Sequence, residues 1–294
     1  MRKRKEGKGH STYSDLLERG EASMNAIREG KIKKPEIVGL VAALVIPLLI
    51  YGIVSLDKIY FVWSSPTLHF AIEILSFAVG LAIFGFAIQG FKVAGSRRIL
   101  LLGSAFLLMG LLDAIHAFAF KDMPAFIIPT GSAYATYYWI LSKVFGAVLL
   151  FLSVLLPDVT IGEKSRKKVS LVVSVSIVVF SLFVGWFIVN YIEFLPPMFV
   201  AGQGLTPLKI YLEYFVMFLL AATCVLNLRK FLKTGNRLLY FFIVGFVFFI
   251  ISEMSFTLYR DVWDVNIWLG HSFKVISYVF LLIGLIDLYL SKSD

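Results

Sequence analysis

The chain has 294 residues, of which 59% are hydrophobic, 16% aromatic and only 16% charged, against roughly 25% charged in an ordinary soluble domain. Its formal charge of +9 does not point to nucleic acid, because the basic residues sit in short pieces between long apolar runs and form no continuous face. Together these exclude a water-soluble domain and predict an all-α, polytopic transmembrane helical bundle of about eight spans.

Residues 1–35 form a basic cytoplasmic N-terminal segment ahead of a membrane domain over 36–294. It opens on the polybasic Met1-Arg-Lys-Arg-Lys5, contains His10, and carries a weak apolar stripe of Leu16, Leu17, Met24 and Ile27. Such a segment reads as an arm held to anionic lipid, at about 1 kcal/mol per basic residue near the surface, or as a docking helix for a cytoplasmic partner. A signal peptide would place its apolar region close behind the first basic residues, so the first span is expected to stay uncleaved.

Spans are expected near 36–56, 67–91, 99–120, 134–156, 169–191, 207–228, 238–259 and 267–289. Ser65 and Thr206 are expected N-caps, each followed by a proline, Pro66 or Pro207, at the first helical position, where its missing N–H costs nothing. Pro157 ends the fourth span. The only cysteine, Cys224, lies in an apolar run, so neither a disulfide framework nor a cysteine metal site exists.

Alternate loops differ sharply in Lys and Arg: 22 lie on one side and only four, Lys58, Lys121, Lys209 and Arg260, on the other. The positive-inside rule then puts both termini in the cytoplasm of a multi-pass cell-membrane protein. All five tryptophans, Trp63, Trp139, Trp186, Trp263 and Trp268, fall at outer ends, as expected of rings that favour the headgroup zone.

An ionisable side chain within a span costs about 2.5 to 3.5 kcal/mol on insertion scales. Nine invite a reason: His69 and Glu73 on span two, Asp113 and His116 on span three, Lys143 on span four, Glu213 on span six, Glu253 on span seven, and His271 and Lys274 on span eight. All lie near an outer end, and no charged residue is expected in the inner half of any span to continue a relay. Residues three or four apart share a helix face, so His69, His116 and His271 form an upper layer above Glu73, Asp113 and Lys274. If these faces point inward, four carboxylates and two ammonium groups leave a net charge of −2, relieved by protonation, by histidine charging or by a bound cation.

Singly, a histidine near a helix end is more often an interfacial hydrogen-bonder than a ligand, and intramembrane Glu and Lys often pair to hold helices in register. Three histidines at one height on separate helices point further. Neutral imidazoles supply the ligand count of a catalytic-type zinc site with one open position, and two of them could hold a haem axially. An organic or lipid ligand, or proton sensing, are the other readings.

Five blocks carry a family resemblance: Leu68-His-Phe-Ala-Ile-Glu-Ile-Leu-Ser76, Leu111-Leu-Asp-Ala-Ile-His116 with Phe120-Lys-Asp-Met-Pro124, Phe199-Val-Ala-Gly-Gln-Gly-Leu-Thr-Pro207, Ser252-Glu-Met-Ser-Phe-Thr-Leu-Tyr259 and Leu269-Gly-His-Ser-Phe-Lys274. In order and spacing the chain resembles the membrane-associated sensor domains of the third MASE class. The resemblance implies a prokaryotic integral-membrane input module, of a kind usually found ahead of histidine kinase or cyclic-di-GMP output domains. Here the chain ends just after span eight, so a signal is expected to pass to a separate cytoplasmic protein.

The leading expectation is therefore a sensor or receptor with an outer-leaflet pocket for a metal ion, haem or small molecule. His69, His116 and His271 would contact the ligand, with Glu73, Asp113, Glu253 and Lys274 orienting them or balancing charge. Two alternatives belong to other classes. In an intramembrane metal hydrolase, Ser76 and Ser272 would assist and Glu73 or Asp113 would be the general base. A transporter or proton path would use the carboxylate layer. Walker, GxGxxG and nucleophile-elbow patterns are absent from the sequence.

Overall fold

The computed structural model describes residues 34–56, 65–259 and 261–290. The basic arm with His10 and its apolar stripe, together with Lys58, Trp63 and Arg260, lies outside the described residues. The helices are α1 (Lys34–Leu56), α2 (Pro66–Ala94), α3 (Arg97–Ala119), α4 (Ser132–Leu155), α5 (Glu163–Tyr191), α6 (Pro207–Thr234), α7 (Arg237–Ser255) and α8 (Val265–Leu290). All eight are long and apolar enough to cross a membrane, and the chain is an all-α polytopic bundle.

The expected caps are present. Ser65 Oγ accepts from the Leu68 N–H and Thr206 Oγ1 from the Lys209 N–H, with proline at the first helical position of α2 and α6. At the other end of these two helices Gly95 (φ 71°) and Gly235 (φ 63°) take the left-handed conformation and return a backbone N–H to Phe91 and Phe231. Two boundaries differ from expectation. α5 begins at Glu163, not near 169, because Arg166 donates to the Ile161 and Val93 carbonyls and ties the basic turn into the helix. α7 ends at Ser255, not near 259, where the Phe256 N–H is shared among the Ser252, Glu253 and Met254 carbonyls.

Six helices close a ring, α2 on α3, α3 on α4, α4 on α6, α6 on α7, α7 on α8 and α8 back on α2. α5 packs outside against α3 and α2, and α1 outside against α7 and α8. Beyond their charged first turns the outer pair are largely apolar and expose residues such as Val38 and Leu49 on α1 and Leu171 and Leu182 on α5, as suits helices solvated by lipid. The ring turns its polar residues inward at one end. Below them Ile83, Phe106, Met109, Phe246, Phe249 and Tyr278 form an apolar core. A short hairpin of β1 (Phe199–Val200) and β2 (Gly204–Leu205) leads into α6 at the polar end.

Candidate functional site

His69 and Glu73 stand on the first two turns of α2, Asp113 and His116 on the last two of α3, and His271 and Lys274 on the early turns of α8. Adjacent helices of the ring carry them, so the three faces meet. His69 Nε2 lies 3.1 Å from His271 Nε2. The ring centroids of His116 are 5.3 Å from His69 and 6.4 Å from His271. One ligand atom from each of His69, Glu73, His116 and His271 falls within 4.8 Å of all the others, and all four residues are buried.

For His116 a neighbour fixes which nitrogen carries the proton. His116 Nδ1 is 2.8 Å from the Ala135 carbonyl, which can only accept, so this nitrogen donates and Nε2 of the neutral ring is a bare lone pair. His271 Nδ1 lies 2.6 Å from Glu73 Oε1. Both Glu73 oxygens are also 2.7 Å from Lys274 Nζ, which makes Glu73 an acceptor, and the contact from His271 Nδ1 is close without hydrogen-bond geometry. His116 Nε2, His69 Nδ1 and His271 Nδ1 are buried with no hydrogen-bond partner among the described residues. His116, with one nitrogen spent on a carbonyl, is oriented as metal-binding histidines usually are.

Below the imidazoles runs a continuous ion-pair chain. Lys274 reaches from Glu73 to Asp113 Oδ2 at 3.4 Å. Asp113 takes Lys143 Nζ at 2.8 and 2.7 Å and the Ser142 hydroxyl at 2.6 Å. Trp139 sits in the middle, its ring under Lys143 Nζ at 4.1 Å and Lys274 Nζ at 4.7 Å and against His116 and His271. Its indole N–H donates to Glu213 Oε1 at 3.2 Å. There a second group begins. Lys209 Nζ is 2.7 Å from Glu213 and donates to the Phe256 carbonyl at 2.5 Å. The Glu253 carboxyl meets that of Glu213, and neither Glu253 oxygen nor Glu213 Oε2 has a donor among the described residues.

All nine side chains singled out above are thus buried and converge, in two groups joined through Trp139. Four readings need correction. Lys209 is no loop residue: Pro207 starts α6, and the ammonium is wholly buried four residues from Glu213. Counting it, the layer holds three ammonium groups and an excess of one negative charge, not two. Trp139 and Trp263 are buried and not at a headgroup surface, whereas Trp186 is 52% exposed. A charged residue, Asp287, does lie in span eight at the end away from the histidines, where it pairs with Arg237 at 3.3 Å.

The site fits some groups and not others. His69 stacks on Phe120 with centroids 3.5 Å apart, and Phe256 packs 5.0 Å from His271, an approach that Gly270 permits because a Cβ there would run into the Phe256 ring. The cavity left beside His116 and His271 measures about 20 Å³, while one water needs about 10 to 15 Å³. That space, which His69 does not line, takes one water-sized ligand beside the histidine cluster. Axial nitrogens each about 2 Å from an iron would stand about 4 Å apart across a macrocycle, and these packed rings leave no slot for one.

Eight membrane-length helices, six of them around a buried charge network, define a polytopic α-helical membrane protein with an internal polar centre. A family model, MASE3, the membrane-associated sensor domain, matches residues 62–292. The chain belongs to that family and is a sensory module carried in the lipid bilayer. No curated protein and no solved structure matches it.

Proposed function

We propose that the input of this sensor is a transition-metal ion of zinc type, held by His69, His116 and His271 at the outer face of the membrane. The observation that carries the reading is the meeting of ring nitrogens: His116 spends Nδ1 on the Ala135 carbonyl, its Nε2 and His69 Nδ1 have no partner among the described residues, and one ligand atom from each of the three histidines and Glu73 lies within 4.8 Å of the others. Tetrahedral zinc with nitrogens at about 2.0 to 2.1 Å separates its ligands by about 3.3 Å, close to the 3.1 Å between His69 and His271. Glu73 orients His271 from behind, and a cation offsets the negative excess of the layer. Binding ties α2, α3 and α8 together, and any difference in affinity between two packings of these helices shifts their populations. The basic ends of the same helices, in the cytoplasm by the distribution of Lys and Arg, would pass that shift to a cytoplasmic signalling partner.

The hydrolase reading draws less support. Ser272 is exposed on α8, Ser76 donates to the Ile72 carbonyl of its own helix, and Glu73 and Asp113 are committed to lysines. The test is elemental analysis and thermal unfolding of detergent-purified protein with and without added zinc. Near-stoichiometric zinc and a raised unfolding temperature are expected, both lost in the H69A/H116A/H271A variant. A folded triple variant that retains as much zinc as the wild type overturns the reading.

A further inference from the structure

At the end of the bundle opposite the histidines a second cavity opens among α3, α4, α6, α7 and α8. It measures about 240 Å³, an order of magnitude more than the space beside His271. Along α7 its lining runs from Asn236 to Phe246, a depth of about 15 Å at 1.5 Å per residue. The mouth and the floor differ in chemistry. Arg98, Lys230 and Asp158 stand at the mouth, where the two cations act on each other and on the carboxylate. Asp158 is already engaged, since Oδ2 accepts from the Ser96 hydroxyl at 2.7 Å and Oδ1 from the Arg98 backbone N–H at 3.1 Å, which caps the start of α3. The floor is apolar, formed by Leu102, Leu239, Phe242, Phe246 and Leu285.

We infer that this cavity is a binding site for an anionic amphiphile, a phosphate or carboxylate head paired with Arg98 and Lys230 and a single acyl chain laid against Leu239, Phe242 and Phe246. A neutral chain would leave the two cations facing one carboxylate that α3 already uses. A free anion would leave the apolar floor to water, at about 25 cal/mol per Å² of surface left wet. A ligand with both parts satisfies both walls, and a headgroup bonded to arginine and lysine forms the stronger, charge-assisted class of hydrogen bond. The site joins the inner ends of five of the six ring helices, so its occupant is read by the same packing that the histidine centre touches from the other side.

The full chain in phosphatidylcholine nanodiscs is titrated with dodecyl phosphate, inorganic phosphate and dodecanol, with empty nanodiscs subtracted. Dodecyl phosphate should bind saturably at one per chain, and the other two at least about tenfold more weakly. R98Q/K230Q, which alters only the mouth, and S153F, which fills the floor from α4, should each weaken dodecyl phosphate by about tenfold or more. Unchanged affinity in R98Q/K230Q overturns the proposal, as does inorganic phosphate binding as tightly as dodecyl phosphate. Mass spectrometry of co-purified lipid then separates two sources. Anionic phospholipid enriched on the wild type and lost from R98Q/K230Q supports a ligand drawn from the bilayer, and saturable dodecyl phosphate binding without such enrichment supports a soluble amphiphile.

Discussion

The two ends of the bundle handle charge in opposite ways. At the histidine end Lys143, Lys209 and Lys274 are wholly buried and each meets a carboxylate at 2.7 Å, leaving a cavity of about 20 Å³. At the basic end Arg98 and Lys230 share one carboxylate at the mouth of a cavity of about 240 Å³, and Arg237 pairs with Asp287 across a contact that is 64% and 29% exposed. An ion removed from water costs several kcal/mol unless it is paired, whereas one near water or headgroups carries little penalty. Burial therefore dictates pairing at one end and permits unsatisfied cations at the other. What stays open at the histidine end is imidazole nitrogen and, beyond Trp139, carboxyl oxygen of Glu213 and Glu253, both metal-ligand chemistries, and at the basic end it is charge, a headgroup chemistry.

The largest effect that this contrast predicts comes from removing one buried cation. Lys274→Met leaves Glu73 with His271 alone and should destabilise the protein by about 3 to 5 kcal/mol, while Arg237→Ala should cost under about 1 kcal/mol. Unfolding in mixed micelles measures both, and equal losses would erase the distinction between the ends. Next, Glu73→Gln should weaken zinc about 10- to 100-fold through the lost orientation of His271; titration calorimetry reads the affinity, and an unchanged value would remove Glu73 from the metal reading. Trp139→Phe keeps the aromatic wall but leaves Glu213 Oε1 without its indole donor, for a loss of about 1 to 3 kcal/mol in the same unfolding assay. Smallest is Ser272→Ala on the exposed face of α8, expected within about 0.5 kcal/mol and without effect on zinc. A large effect on zinc or on turnover of an ester or amide would revive the hydrolase alternative.

Spans, caps and the polar layer were legible because each rests on a local signal. Ser65-Pro66 and Thr206-Pro207 mark helix starts by cap chemistry, and the spacings of His69 to Glu73 and His271 to Lys274 place each pair on one helix face. Partnership was not legible. Nothing local says that Lys274 would choose Glu73 over its neighbours, since the two are 201 residues apart and meet because α8 closes the ring on α2. Lys209 counts as a loop cation in the sequence although its spacing to Glu213 matches a helical pair, because only the neighbouring backbone shows whether a lysine near a helix end is buried. The burial of Trp139 is hidden for the same reason: an indole at a helix end has two places to go, lipid or the ring interior, and only the packing of α4 between α3 and α6 decides. The basic-end cavity left no mark in the sequence at all, since it is a gap between helices and not a property of any one of them.

The central claim is that three imidazoles from α2, α3 and α8 hold one metal ion. Zinc-edge X-ray absorption on the zinc-loaded protein tests it most directly. The account predicts nitrogen and oxygen scatterers alone at about 2.0 to 2.1 Å, with the outer-shell pattern of three imidazoles, and loss of that pattern in H69A/H116A/H271A. A sulfur shell, or a spectrum without imidazole scattering that the triple variant leaves unchanged, would contradict it.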